Sequence, residues 1–491
     1  MRTFQAAPSA AVLIQSMRDI GYSLETALAD IIDNSLTAEA QSIRLLALTV
    51  GAEPRIAIID DGYGMDEGQL RVAMRLGSSN PLDDRAVADL GRFGLGLKTA
   101  SFSQCRRLTV ATRKGGVLST ARWDLTDVGD WMVQVPSPQD IPWITEIGEK
   151  GTMVLWEDLD RLAGKELGEA RIAQLVRRLD DAVEHLELVF HRFLAGEHGL
   201  KKVGMTLNGR PLTPFDPFNS KHPKTIPAPS TPELISVGSQ TVSFQAFTLP
   251  HHSSVSAAEW EKFGGRAGYL KNQGFYLYRA KRLIIYGTWF GYARQTELTK
   301  LVRVRIDIAN AMDSDWKIDV KKASAQPPHQ VRDRLRRLID TIGATSKRLY
   351  TARGRKLVSD SQLPVWVRSQ AQSEIRYGLN ADHPVFAEFE DRLSDEMKRD
   401  FRRIIELVGA SMPLDAVFAD ISGNPTNVSG HAMSDGAIDH AAVVTYEKLA
   451  EAGLSGAEIM EMLRATEPFF SNWARVEKTL SEMAAGSTAI D

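Results

Sequence analysis

Four short segments, in fixed order along the chain, constrain its fold more than any other feature. The first is Ala27-Leu28-Ala29-Asp30-Ile31-Ile32-Asp33-Asn34, and the second is Ile58-Ile59-Asp60-Asp61-Gly62-Tyr63-Gly64-Met65. Gly91-Arg92-Phe93-Gly94-Leu95-Gly96-Leu97-Lys98-Thr99 is the third, and Gly151-Thr152-Met153-Val154-Leu155-Trp156 comes last. They read as a polar helix face, an Asp-x-Gly-x-Gly turn, a glycine-rich loop opening a helix, and a Gly-Thr strand. Each alone is weak: a polar stripe, an ordinary turn or a helix start occurs in many chains. Their order of occurrence carries the information.

On a helix turning about 100° per residue, Asp30 and Asn34 share a face one turn apart. Asn34 offers a neutral oxygen suited to a hard cation that keeps several waters, as magnesium does beside phosphates. Asp30 can then accept a proton from a water aimed at a γ-phosphate. Glu25, nine residues before Asn34, lies on the opposite face and cannot replace Asp30. Asp60 ends the apolar strand Ile56–Ile59, where a carboxylate accepts from an exocyclic amine while Gly62 and Gly64 let a base approach the backbone. Gly91, Gly94 and Gly96 supply N–H groups and a positive helix end for phosphates. The spacing is not that of a Walker loop, because Lys98-Thr99 comes after Gly-x-Gly rather than Gly-x-x-x-x-Gly.

The 491 residues allow two to four domains. A net charge of −3 and 43% hydrophobic residues are ordinary for a globular protein. The start has no secretory apolar stretch and no run is long enough to span a bilayer, so a cytoplasmic protein is expected. Cys105 is the single cysteine, which excludes an internal disulfide framework and a multi-cysteine zinc site; a buried, small apolar role is expected for it. Charge is unevenly placed. Between Arg266 and Arg305 the cations Lys271, Arg279, Lys281, Arg282, Arg294, Lys300 and Arg303 face only Glu297. Beyond them come Arg332, Arg334, Arg336, Arg337, Lys347, Arg348, Arg353, Arg355 and Lys356, with Tyr276, Tyr278, Tyr286, Trp289 and Tyr292 nearby. Such a patch can meet phosphates, or be a solvated face and a basic helix.

Periodicity predicts helices over 8–20, 23–39, 65–75 and 95–104, with Ser23 as an N-cap. Strands are expected at 43–48, 55–59, 108–112, 118–124, 131–135 and 152–156, closed by a long amphipathic helix near 167–195. This is an α/β sandwich with helices on one face of a mixed sheet. A second unit is expected to begin with the hairpin 203–212, where Asn208-Gly209 marks the turn. The proline-rich stretch 213–233 reads as a loop, and strands are expected at 241–248, 274–278, 282–286 and 301–308. Beyond Pro327-Pro328 the pattern is mostly helical, so the boundaries fall at 1–198, 199–327 and 328–491.

Over about residues 20–160 the order and spacing of the four segments closely resemble the GHKL ATPases: gyrase B, heat-shock chaperones, histidine kinases, MutL and the MORC proteins. The resemblance implies an α+β chain opening with a Bergerat sandwich, then a transducer-like βαβ domain and a mostly helical region. It implies ATP and magnesium as ligands, with Asn34 holding the metal and Asp60 accepting from the adenine amine. Gly62, Gly64 and Met65 would line the base, Thr152 would support it from the sheet, and Gly91, Phe93, Gly94, Leu95 and Gly96, with Lys98 and Thr99, would close on the phosphates. The family's usual base is Glu; Asp30 is shorter by one methylene, which implies slow hydrolysis.

Lys271–Arg279 with Arg282-Leu283-Ile284 resembles the transducer segment of the MutL, MORC and gyrase branch. Asp315-Trp316-Lys317-Ile318-Asp319-Val320-Lys321-Lys322 resembles its switch-lysine loop, in which a cation reaches the γ-phosphate. Lys321 is favoured for that contact, then Lys322, with Lys317 the third choice. The histidines His383, His431 and His440 lack the neighbours of a nuclease metal site. The resemblance implies a MORC- or MutL-like ATPase that dimerises on ATP as a clamp and acts on DNA through the basic transducer and the helix after it. The alternative is a chaperone-like ATPase that remodels protein clients.

Overall fold

The apolar alternation of Arg55–Asp60 sends Ile56 and Ile58 to one side of a sheet and Ala57 and Ile59 to the other, and all four are buried. A strand buried on both faces belongs in the middle of a sheet, and that is where it lies. The computed structural model describes residues 9–19, 21–50, 53–77, 96–128, 131–162, 168–313, 315–318, 325–339, 364–371, 374–414, 416–417 and 433–487.

Seven strands form the first sheet: β1 (Ser42–Leu48), β2 (Arg55–Asp60), β3 (Arg107–Lys114), β4 (Val117–Asp124), β5 (Gly151–Glu157), β6 (Gly204–Leu207) and β7 (Arg210–Pro211). Their order is β4-β3-β5-β2-β1-β6-β7. One face packs on α1 (Ala10–Arg18), α2 (Leu24–Thr37), α4 (Gly96–Phe102) and α5 (Gly168–Val189), with Ile31, Ile32, Phe102, Trp156 and Leu186 in the core. Ile141 and Ile147, beside short 3-10 turns, cover the opposite face. Helix α3 (Glu67–Met74) is capped by Asp66, whose side chain accepts from Gln69 N–H at 2.9 Å.

Three expectations need correction. The hairpin 203–212 does not start the second unit: β6 pairs parallel with the free edge of β1, Ile43 opposite Met205. Residues 131–135 make no strand beyond a single bridge from Gln134 to Arg122; Met132 and Val135 are exposed, and Trp131 has a left-handed φ of 62° that breaks the extension. The proline-rich stretch is not all loop, since β8 (Ile226–Val237) runs through Pro227, Pro229 and Pro232. It tolerates them because it is an edge strand, pairing only with β9 (Gln240–Thr248) and slipping register between Ala228 and Glu233.

The second sheet has the order β11-β10-β12-β9-β8, with β10 (Gly274–Arg279), β11 (Arg282–Thr288) and β12 (Val302–Ile308). Strands β10 and β12 are parallel, whereas β9 and β12 are antiparallel. The long helix expected near 167–195 breaks at Phe190, giving α5 and the short α6 (His191–Ala195). That corner carries contacts to the second sheet: His191 Nε2 lies 2.8 Å from Tyr278 Oη, and buried Arg192 pairs with Glu197 and Asp307. Between β9 and β10 come α7 (Ala257–Gly264) and α8 (Gly268–Lys271).

Residues up to Ile339, apart from Val255–Ala257, form one compact unit, and Asp340–Asp491 form a second. The second is helical at Pro384–Asp391, Asp395–Ala410, Asp435–Glu451, Gly456–Arg464 and Trp473–Ser487, with Ile438, Ile459, Leu463 and Val476 in its core. It also carries an unexpected hairpin of β13 (Trp366–Ala371) and β14 (Glu374–Leu379).

Candidate nucleotide-binding site

Helix α2 begins at the N-cap Ser23, whose backbone N–H donates to Thr26 Oγ1 at 3.1 Å. Its apolar residues Leu28, Ile31 and Ile32 face the core and orient the polar ones. Asp30 is buried and accepts from Tyr22 Oη at 3.0 Å. Asn34, one turn on, is exposed. The helix therefore carries a held carboxylate and an open carboxamide on one side, and Gly96 at the start of α4 stands close by: a Cβ there would lie 3.8 Å from Asp30 Oδ2. Cys105, just after α4, is buried as expected, and burial pushes its thiol pKa well up.

Asp60 ends β2 and is buried. Its Oδ1 accepts from the N–H groups of Gly62 at 2.9 Å and Thr152 at 3.2 Å, and its Oδ2 accepts from Ser35 Oγ at 2.8 Å. Burial raises its pKa, and the three hydrogen bonds oppose that rise. A carboxylate oxygen accepts more than one bond, so Oδ2 keeps acceptor capacity for an incoming amine. Thr152 stands opposite Asp60 in the β2–β5 register. Its hydroxyl lies 3.1 Å from Thr112 Oγ1, which in turn accepts from Met65 N–H at 2.8 Å. Sequence reasoning missed Ser35, Thr112 and Tyr22. Each is one polar residue in an apolar pattern, and only the adjacency of Ser35 to Asn34 hints at its place.

The glycines serve a tighter purpose than base access. A Cβ on Gly62 would come within 2.7 Å of Ala38, and on Gly64, at φ 67°, within 2.1 Å of the Arg113 carbonyl. The turn is thus pressed between the end of α2 and β3, which only glycine permits. Gly151, at φ 125°, is held against the Asp60 carbonyl in the same way.

Lys98 is buried and donates from Nζ to the Ala73 carbonyl at 2.8 Å, near the end of α3. Burial lowers its pKa to about 8. Thr99 is buried on the same helix. Gly91, Phe93, Gly94 and Leu95 lie outside the described residues, as do Lys321 and Lys322 of the proposed switch loop and His431. Lys317 is described: it is exposed, at a left-handed φ of 45°, between buried Trp316 and Ile318.

The basic patch needs a firmer correction. Arg279 forms a buried two-point pair with Asp313 at 2.6 and 2.7 Å, and Arg282 is buried against Asp33. Buried Arg303 donates to the carbonyls of Pro217 and Phe263, and Lys300 is buried against Glu297. Arg266 pairs with Asp181 and Glu184. Tyr276, Tyr278 and Trp289 are core residues. Of the cations counted between Arg266 and Arg305, Lys271 and Arg294 stand exposed with no salt bridge among the described residues, while Lys281 is half-buried near Asp307.

The residues that gather Asp30, Asn34, Asp60 and Thr152 fall within the stretch 22–152, which matches the family model described as histidine kinase-, DNA gyrase B-, and HSP90-like ATPase. This N-terminal domain belongs to the GHKL ATPases. The chain is 30% identical over 94 residues to the ATPase morc-1 of Caenorhabditis elegans, covering 19% of this chain and 11% of that one. It is 29% identical over 173 residues to the DNA mismatch repair protein MutL of Acidiphilium cryptum, 33% of this chain and 26% of that one. To MutL of Rhodospirillum rubrum it is 29% identical over 123 residues, 25% and 19% respectively. These matches span about a tenth to a quarter of each relative. Among the described residues, no helix is long and apolar enough to cross a membrane.

Proposed function

We propose that this chain binds magnesium-ATP between α2, β2 and α4, hydrolyses it slowly to ADP and phosphate, and closes on ATP as a homodimeric clamp acting on DNA. The observation that carries the nucleotide site is Asp60: a buried carboxylate, held by three donors, with acceptor capacity remaining beside Thr152. Such a group accepts from the amine on C6 of adenine and repels the carbonyl oxygen that guanine carries at that position. Exposed Asn34 fits magnesium, since a neutral oxygen leaves the metal its waters and the phosphates; the ion would screen phosphoryl charge. Asp30, held by Tyr22, serves as the base that takes the water's proton. Lys321 or Lys322, with Lys317 behind them, supplies the cation that distinguishes ATP from ADP.

Dimerisation and DNA as client rest on the likeness to MORC and MutL proteins. One observation favours the second reading, remodelling of protein clients: most cations of the second sheet are spent on internal pairs. Gel filtration of the full chain with and without a non-hydrolysable ATP analogue, each with and without DNA, separates them. A clamp becomes dimeric with the analogue and carries DNA with it. A protein remodeller dimerises and ignores DNA. A chain that neither binds the analogue nor changes size loses the ATPase reading altogether.

A further inference from the structure

Arg282 opens β11, and Asp33 lies in α2 between Asp30 and Asn34. The two are 249 residues apart, yet Arg282 Nε donates to Asp33 Oδ1 at 3.2 Å. Asp33 is 1% exposed and Arg282 6%. Arg282 Nη1 also donates to the Leu283 carbonyl at 2.9 Å, and the guanidinium sits 5.5 Å from the centroid of the Phe190 ring, at the break between α5 and α6. The arginine is therefore fixed on the second sheet and reaches into the first layer with its charge.

Two opposite charges this deeply buried hold each other, because parting them weakens the compensation of both in a low-dielectric interior. Asp33 stands three residues after Asp30 and one before Asn34. A helix turns as a rigid rod, so whatever fixes the direction of Asp33 fixes the aim of both neighbours. We infer that Arg282 is a positioning residue for the nucleotide reaction: through Asp33 it sets the rotation of α2, and it ties that rotation to the second sheet. This rests on the reading of α2 as the nucleotide helix. The pair gives the second sheet a mechanical hold on Asp30 and Asn34 that does not depend on any lysine loop. A shift of either partner is felt by the other, which is what coupling between a site and a neighbouring layer requires.

The test uses the full chain and two variants. Asp33→Leu with Arg282→Met removes both charges of the pair together, so neither is left facing the other's absence. Arg282→Lys keeps the charge but not the planar fork. Thermal melting, ADP affinity, turnover and hydrogen exchange are measured, the last with and without magnesium and a non-hydrolysable ATP analogue. In the wild type the analogue protects both α2 and residues 274–288. The double variant melts cooperatively and binds ADP within about threefold of wild type, while its turnover falls about 100-fold, the loss expected of a small misaim. Its α2 is still protected and 274–288 is not. Arg282→Lys falls between the two in turnover, and it carries the test alone if the double variant does not fold. Wild-type turnover with transmitted protection in the variants overturns the positioning role. Protection of α2 without any response in 274–288 of the wild type overturns the coupling but leaves the nucleotide site standing. No protection of α2 in the wild type removes the nucleotide reading, and this inference with it.

Discussion

Tyr22 Oη donates a 3.0 Å hydrogen bond to Asp30 Oδ2, and both side chains are buried. The tyrosine precedes α2 and reaches across its first turns, so the carboxylate is aimed before any ligand arrives. Tyr22→Phe keeps the ring and removes the donor. A hydrogen bond to a charged acceptor is worth about 1.5–3 kcal/mol, and the variant should lose that much stability in urea unfolding. Turnover should fall with it, because the carboxylate loses the hydrogen bond that aims it. Unchanged unfolding and phosphate release in Tyr22→Phe would show that the bond does neither job.

Asp30→Asn preserves size and an oxygen for Tyr22 while abolishing basicity. Nucleotide binding should survive and hydrolysis should drop by about 10²–10⁴, the usual worth of a positioned base. If the chain dimerises on ATP, this variant should accumulate as the dimer in gel filtration with ATP itself. Wild-type phosphate release from Asp30→Asn would place the base elsewhere.

Much of this was legible in the sequence, for reasons of range. Amphipathic helices such as α2 and alternating strands such as β2 and β3 announce themselves within a dozen residues. Parallel pairing of β6 with β1 joins positions more than 150 residues apart, and nothing local distinguishes it from the start of a new sheet. The edge strand β8 was hidden by its prolines, which forbid an interior strand but not an outer one. In the candidate site, Asp30, Asn34 and Asp60 stood out because polar residues interrupt an apolar helix and strand there. Tyr22 beside Asp30, Ser35 beside Asp60 and Thr112 behind Thr152 did not stand out, since one hydroxyl in a strand or helix carries no signal of what it touches. The basic stretch failed for a related reason: a local count of charges saw only Glu297, while the real partners of Arg282 and Arg279 are Asp33 and Asp313, far along the chain.

Asp60→Ala is a poor test of base recognition, because it strands the N–H groups of Gly62 and Thr152 and the hydroxyl of Ser35. Asp60→Asn is better. The carboxamide oxygen can still accept from the turn, but its NH₂ now faces the adenine amine, donor against donor. Adenine nucleotides should weaken by about 10- to 100-fold, the loss of one charged acceptor. Calorimetry with ATP and GTP on the wild type supplies the companion measurement: equal affinities would mean that Asp60 does not read the amine.

Lys98 gives a pH signature independent of nucleotide. Its folded pKa is lowered to about 8, against 10.5 for the exposed side chain, because the ammonium is buried. Below pH 8 the folded chain bears the whole cost of that charge. Between pH 8 and 10.5 the unfolded chain alone keeps the proton, so stability contributed by this group rises with pH through that window. Lys98→Met should abolish the rise, seen as a urea midpoint that gains less than wild type between about pH 8 and pH 10. Parallel profiles would contradict a desolvated ammonium.

If DNA is the client, the second sheet can meet it only through the cations that remain outside. Lys271 and Arg294 are exposed, as is Arg336, whose guanidinium lies 5.3 Å from the centroid of the Tyr292 ring. Arg279, Arg282 and Arg303 cannot serve, because each is buried; alanine there should unfold the chain rather than weaken DNA binding. Each phosphate contact contributes about −0.9 to the slope of log affinity against log salt, so Lys271→Ala with Arg294→Ala should flatten the slope by about 1.8 while the chain melts as wild type. A fluorescence anisotropy titration of duplex DNA at several salt concentrations measures it. Binding that keeps its full slope in the double variant means that DNA does not lie on this sheet. Binding too weak to titrate at low salt in the wild type removes DNA as the client and leaves protein remodelling, for which internal pairing of these arginines is no obstacle.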